Sequence, residues 1–199
     1  MNQSVLQSIA RTPDHPVSPE FVNRWSPRSF STKPVTVHTL HAMVEAARWA
    51  PSSYNAQPWR FFVTNGPGAT RDAWNEAVMP FNRTWSDKAP VLVWVAARKT
   101  FGPGFPVPPE TPNRHAGFDT GAAAVQLVLE AERHGLKAHY LGGVDQTKAR
   151  TLLGLGDDHD LLCAIVLGHP GDGSELSEGL RAREVPSGRK PATEVATFA

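Results

Sequence analysis

One cysteine in 199 residues leaves nothing for an internal disulfide to pair with, so the fold must rest on packing and hydrogen bonds. Cys163 sits in the apolar run "LLCAIVLG", where a core role is expected. No apolar run approaches the length a bilayer requires, and the first residues, "MNQSVLQSIARTPDHP", lack the basic-then-apolar layout of a secretory leader. The expectation is a cytoplasmic protein without a membrane partner. A formal net charge of +1 offers no global field for nucleic acid, so any anion must be held by local groups.

The common nucleotide and catalytic signatures are missing too. No G-x-G-x-x-G follows a strand, and there is no P-loop or G-x-S-x-G elbow. The eight histidines are scattered, with no helical pair at metal-ligand spacing. The acids Asp157, Asp158 and Asp160 read as a wet turn.

What is present suits one domain spanning 1–199, since 40% apolar and 20% charged residues describe an ordinary globular core. Residues 3–11 suggest a short helix. In "TVHTLHAMVEAARWA", Leu40, Met43, Val44 and Ala47 recur at helical spacing behind Thr36, a good N-cap, and Pro51 ends the helix at Ala50. "WRFFVTNG" reads as a strand with an Asn-Gly turn, "TRDAWNEAVM" as a helix, and "APVLVWVAAR" as a strand buried on both faces. A proline- and glycine-rich loop over 101–116 precedes a long helix, "FDTGAAAVQLVLEAERHG", whose alanines allow close backbone approach. A strand "KAHYLGGV", a helix N-capped by Asp145 and the strand "LLCAIVLG" follow. The polar stretch from about 170 reads as an arm over the surface, ending in a strand-like "TEVATF" that could pair on another subunit. Alternating strands and helices argue for a layered α/β or α+β domain.

Several short stretches could carry chemistry. "RWSPRSF" sets Arg24, Ser26 and Arg28 around Pro27, which suits a phosphate but also a solvated turn. "PSSYNAQPW" can read a planar ligand's polar edge or simply satisfy its own backbone. Gly142 and Gly143 end a strand and permit a flat ligand or a bulge.

Taken in order, "RWSPRSF", "AARWAPSSYNAQPWRFFV", "FNRTWSDKAPVLVWVAAR", "DTGAAAVQLVLEAERHGLKAHYLGGV", "IVLGHPGD" and "GRKPATEV" resemble the FMN-dependent nitroreductase family from about residue 20 onward. The resemblance implies the α+β class, as a three-layer α/β/α sandwich built as an intertwined homodimer, with FMN at the interface and the C-terminal arm exchanged. It implies that Arg24, Ser26 and Arg189 hold the phosphate, with Trp25 beside them, and that Arg28 faces the isoalloxazine where reduced flavin is negative. Pro51, Ser52, Ser53 and Asn55 come from the other subunit, Asn82 reaches the pyrimidine edge, and Leu141, Gly142 and Gly143 lie near N5. No side chain is required as an acid or nucleophile. The implied activity is ping-pong electron transfer from NADH or NADPH to a nitroaromatic, quinone or similar small-molecule acceptor. A flavin-holding protein without turnover and a flavin-dependent dehydrogenase or dehalogenase are the alternatives. Trp25, Tyr140 and the 101–116 loop depart from the family pattern and bear on the substrate side, while Ser187, where some relatives carry a second basic residue, leaves Arg189 as the main phosphate contact expected from the C-terminal arm.

Overall fold

The computed structural model of the chain describes residues 11–199, so the helix expected over 3–11 lies, apart from Arg11, outside the described residues. The elements in order are α1 (Pro19–Asn23), α2 (Val37–Arg48), β1 (Trp59–Asn65), α3 (Ala69–Asn75), α4 (Pro80–Ser86), β2 (Val91–Arg98), α5 (Ala116–Arg133), β3 (Lys137–Leu141), α6 (Gln146–Leu153), β4 (His159–Gly168), α7 (Glu178–Arg181) and α8 (Ala192–Val195).

The four strands form one antiparallel sheet in the order β1-β2-β4-β3. Burial along β2 is continuous from Val91 to Ala97, because both of its faces are covered. Val91, Val93 and Val95 point to one side, where Met43 and Ala47 of α2 meet Leu127, Val128 and Ala131 of α5. Leu92, Trp94 and Ala96 point to the other, against Trp85 of α4, Leu141 of β3 and Ala149 of α6. The period-two pleat therefore divides one apolar strand between two cores, giving the expected three layers. A bulge marks β4: Val95 faces Cys163 and Ala96 faces Leu161, so Leu162 has no opposite number. Cys163 packs against the first core, and burial pushes its thiol up to about 11, which suits an inert side chain.

Local signals set the boundaries. Thr36 Oγ1 accepts the Thr39 N–H at 3.1 Å, and Asp145 Oδ1 accepts that of Lys148 at 2.9 Å, each capping its helix. α2 ends at Arg48, slightly before Ala50, with Trp49 as its C-cap. Met79 and Pro80 open α4, a helix that the weak pattern of "FNRTW" did not announce.

The C-terminal stretch departs from expectation in two ways. Its first half is anchored on its own chain: Leu176, Leu180 and Glu184 are buried, and the Gly171 N–H donates to Ser29 O at 3.0 Å. The strand expected at "TEVATF" is instead a turn of helix, α8, behind Pro191, whose fixed φ favours a helix start over the β preference of Thr193 and Val195. The Ala192 N–H donates to Asp14 Oδ2 at 2.8 Å, tying this end to the N-terminal segment.

Candidate functional site

The turn after α1 sits where three separate segments meet. Glu184, buried on the C-terminal stretch, accepts the backbone N–H groups of Arg28 and Ser29 at 2.7 and 2.8 Å, fixing the turn's outline. His139 of β3 reaches Pro27 from below, its Nδ1–H donating to Pro27 O at 2.8 Å. That ring lies 4.6 Å from the Trp85 ring of α4, and the Arg28 guanidinium lies 5.9 Å from the same indole. A cation over an indole in a sheltered place is attracted by the ring quadrupole.

These contacts shape a cavity of about 310 Å³ lined by five arginines, Arg11, Arg24, Arg28, Arg183 and Arg189, with Trp25, Ser26, His139 and Ser187. Among the described residues, only Arg28 of the five has a carboxylate within 4 Å, Glu184 Oε2 at 4.0 Å. Arg24 donates to Ser26 Oγ at 3.3 Å, and Arg189 folds onto the carbonyls of Ser187 and Gly188. Arg11 is held by the carbonyls of Val22 and Arg24 at 2.8 and 2.9 Å. Its guanidinium is pulled below the ordinary range by burial and then by Arg189 and Arg24. Cations crowded without counter-charges repel one another, and an entering dianion relieves that repulsion while accepting their forked N–H groups.

Asn82 and Gly143 are also brought together. The Asn82 Nδ2 group donates to Gly143 O at 3.3 Å, and the Met79 N–H donates to the same carbonyl at 3.0 Å. A Cβ on Gly143 would stand 2.5 Å from Asn82 Nδ2, so the glycine is what permits this approach. Trp85, three residues beyond Asn82 on α4, links this pair to Arg28 and His139. The side chain of Leu141 is buried in the second core, leaving only its backbone for any ligand.

The loop 51–57 stands apart. Pro51, Ser52, Ser53 and Asn55 line no part of the arginine cavity. The Ser53 N–H donates to Asp119 Oδ2 of α5 at 3.0 Å, and Ser52 Oγ accepts the Gln57 N–H at 3.0 Å. Tyr54, Asn55 and Gln57 all have positive φ, at 52°, 56° and 48°. A left-handed residue other than glycine costs roughly 1–2 kcal/mol, and such strain gathers at functional loops. The Tyr54 ring, 64% exposed, packs edge-on against Phe101 of the 101–116 loop at 5.6 Å. On α5, Phe118 and Val125 are exposed as well.

Of the residues implied by the resemblance, the structure gathers Arg24, Trp25, Ser26, Arg28 and Arg189 at one cavity and sets Asn82 beside Gly143, a pairing that the sequence did not announce. Sequence reasoning missed Arg11, Arg183 and His139. Each is an isolated polar residue in its own segment, and only tertiary packing gathers them. No group of three His, Cys, Asp or Glu side chains capable of holding a metal ion occurs among the described residues. Nor, among them, is any helix long and apolar enough to cross a membrane.

The comparisons with known proteins agree with one another. The sequence profile of the Nitroreductase family matches residues 22–84 and 80–169. The chain is 27% identical over 191 residues to an NADH dehydrogenase of Thermus thermophilus, covering 83% of this chain and 89% of that protein. It is 28% identical over 164 residues to the CLA biosynthesis enone reductase of Lactiplantibacillus plantarum, covering 67% and 75%. Among solved structures, an oxidoreductase containing FMN superposes with a TM-score of 0.89 at 34% identity, over 94% of this chain and 93% of that one.

Proposed function

Because the chain belongs to the nitroreductase family, we propose that it is an FMN-dependent oxidoreductase that takes electrons from NADH or NADPH and passes them to a nitroaromatic, quinone, enone or similar small acceptor. The observation that carries this reading is the cavity of five arginines with one carboxylate in reach. It has the charge and the forked N–H donors that a phosphate monoester needs.

Arg24, Ser26, Arg11, Arg183 and Arg189 would bind the FMN phosphate, and Trp25 would wall the same cavity. Arg28, braced by Glu184 and lying over Trp85, would place a fixed positive charge against the ring. Asn82 would offer its amide to the polar edge, and the backbone of Leu141, Gly142 and Gly143 would lie against the ring face. The bound flavin supplies the two-electron transfer. With no second nucleotide site of recognisable pattern, donor and acceptor would use one open face in turn, which is a ping-pong order.

We further propose that the site is completed by a second copy of the chain. The loop carrying Pro51, Ser52, Ser53 and Asn55 is strained and polar, and does not reach its own cavity. Phe118 and Trp49 are 80% and 72% exposed, the kind of apolar surface a homodimer covers. The whole of 1–199 would then act as one domain, and its last residues would exchange the Ala192–Asp14 hydrogen bond for contacts on the other subunit.

Titrating the purified protein with FMN and then with NADH or NADPH without oxygen tests the reading. Tight FMN binding followed by bleaching of the flavin band is expected. Binding without bleaching would identify a flavin carrier, and a protein that takes up no FMN contradicts the proposal.

A further inference from the structure

His139 is the one titratable side chain in the arginine cavity that can change charge near neutral pH. Its Nδ1–H is committed to Pro27 O, which fixes the neutral tautomer and leaves Nε2 with a lone pair. Nε2 makes no hydrogen bond to the protein among the described residues. The ring cannot leave, because Trp85 packs against it and Val166 of β4 pairs with its backbone.

Every charged group facing the ring is a cation. Arg24 and Arg28 come from the turn after α1, Arg183 and Arg189 from the C-terminal stretch, and Arg11 from the N-terminal segment. The neighbours on β3 are Lys137 and Tyr140, and Trp85 is the contact from α4. Glu184, the carboxylate beside this turn, accepts the Arg28 and Ser29 N–H groups at Oε1 and faces the Arg28 guanidinium with Oε2 at 4.0 Å. In the ligand-free cavity the imidazole is therefore held neutral: burial and then Arg28 and Arg24 depress its pKa, against the opposing pull of the Pro27 and Ser26 carbonyls. A phosphate in the cavity reverses this balance, since its negative charge favours the imidazolium and Nε2–H becomes a further donor.

We propose that His139 is a ligand of the anion cavity whose protonation is coupled to phosphate entry, so that the protein holds a phosphorylated flavin more tightly as the pH falls. The inference rests on the FMN reading and adds a proton to it. The step balances simply: one solvent proton is taken up at Nε2 as the phosphate enters, and released as it leaves.

The test compares FMN with riboflavin, which carries the same ring and no phosphate, in wild type and in His139→Gln from pH 8.5 to pH 6. The phosphate's own ionisation near pH 6 acts equally in both proteins and cancels in the comparison. Over the window between the free and bound pKa values, the wild-type preference for FMN over riboflavin is expected to rise ~tenfold per pH unit relative to the variant. Proton NMR of the His139 ring supplies a second readout, with its titration shifted upward in the FMN complex and not in the riboflavin complex. Equal pH dependence in both proteins, or the same His139 titration with either flavin, overturns the inference and leaves the FMN reading standing. Failure to bind either flavin overturns both.

Discussion

The arginine cavity and the Ser52–Asn55 loop are opposite solutions within one chain. Around the cavity, Glu184, His139 and Trp85 hold Arg28 and its turn from three directions, and among the described residues the other four arginines have no carboxylate within 4 Å. At the loop, three residues accept left-handed backbone, the polar side chains satisfy neighbours within their own segment, and an aromatic ring faces solvent. One region is complete by itself. The other bears a conformational cost met inside its own chain by the Ser53–Asp119 and Ser52–Gln57 hydrogen bonds and the Tyr54–Phe101 contact, and it is the half that the proposed shared site would take from a partner.

Removing what supports the cavity should have the largest effect. Trp85→Ala deletes a side chain that is 2% exposed and seats both His139 and Arg28, so a loss of about 3–5 kcal/mol in chemical denaturation is expected. A loss under 1 kcal/mol would mean that the indole is not the support described. Arg24→Ala should act on the ligand alone, because its side chain bonds only Ser26 Oγ within the protein. FMN affinity, measured by fluorescence quenching, should fall by on the order of 1.5–3 kcal/mol with little change in melting temperature. Arg28→Ala should keep most of the flavin and make it harder to reduce, visible as a lowered midpoint potential; an unchanged potential would remove Arg28 from the ring.

The loop should respond less and differently. Ser52→Ala takes away the acceptor of the Gln57 N–H, and an affinity loss of about 0.5–1.5 kcal/mol is expected. A loss as large as that of Arg24→Ala would erase the contrast between the regions. The smallest effect concerns pH in the flavin-free protein. The pKa of folded His139 is depressed, so the unfolded chain takes up the proton first, near its ordinary value of about 6.5. Its contribution is fully present above that pH and is lost as the pH falls through it toward the folded value. Denaturation midpoints should decline more gently on acidification in His139→Gln than in wild type.

The same contrast explains what could be read from the sequence. The sheet and α2 were legible because Val91–Ala97 is uniformly apolar and the α2 residues repeat at helical spacing, whereas α4 had no such signal. Arg24 and Arg28 stood out as a possible anion-binding pair because they are close in the chain, but a solvated turn fitted them as well, and only the resemblance gave them roles. Arg11 and Arg183 did not stand out, since each comes from its own segment and joins the cavity only through packing. The "TEVATF" segment misled because β-branched residues outweighed Pro191 in the reading, while the folded chain obeys the proline. The loop's role was suggested only by resemblance, and its positive φ values are a tertiary fact that no propensity announces.

Mixed dimers test the central claim most directly. Chains carrying Arg24→Ala are combined with chains carrying Ser52→Ala and Asn55→Ala, and FMN binding of the mixture is compared with that of each altered protein alone. If each site joins one subunit's arginines to the other's loop, every mixed dimer holds one intact site, and binding of wild-type affinity reappears on mixing. If cavity and loop serve the flavin from a single chain, mixing restores nothing, and the shared-site account is wrong.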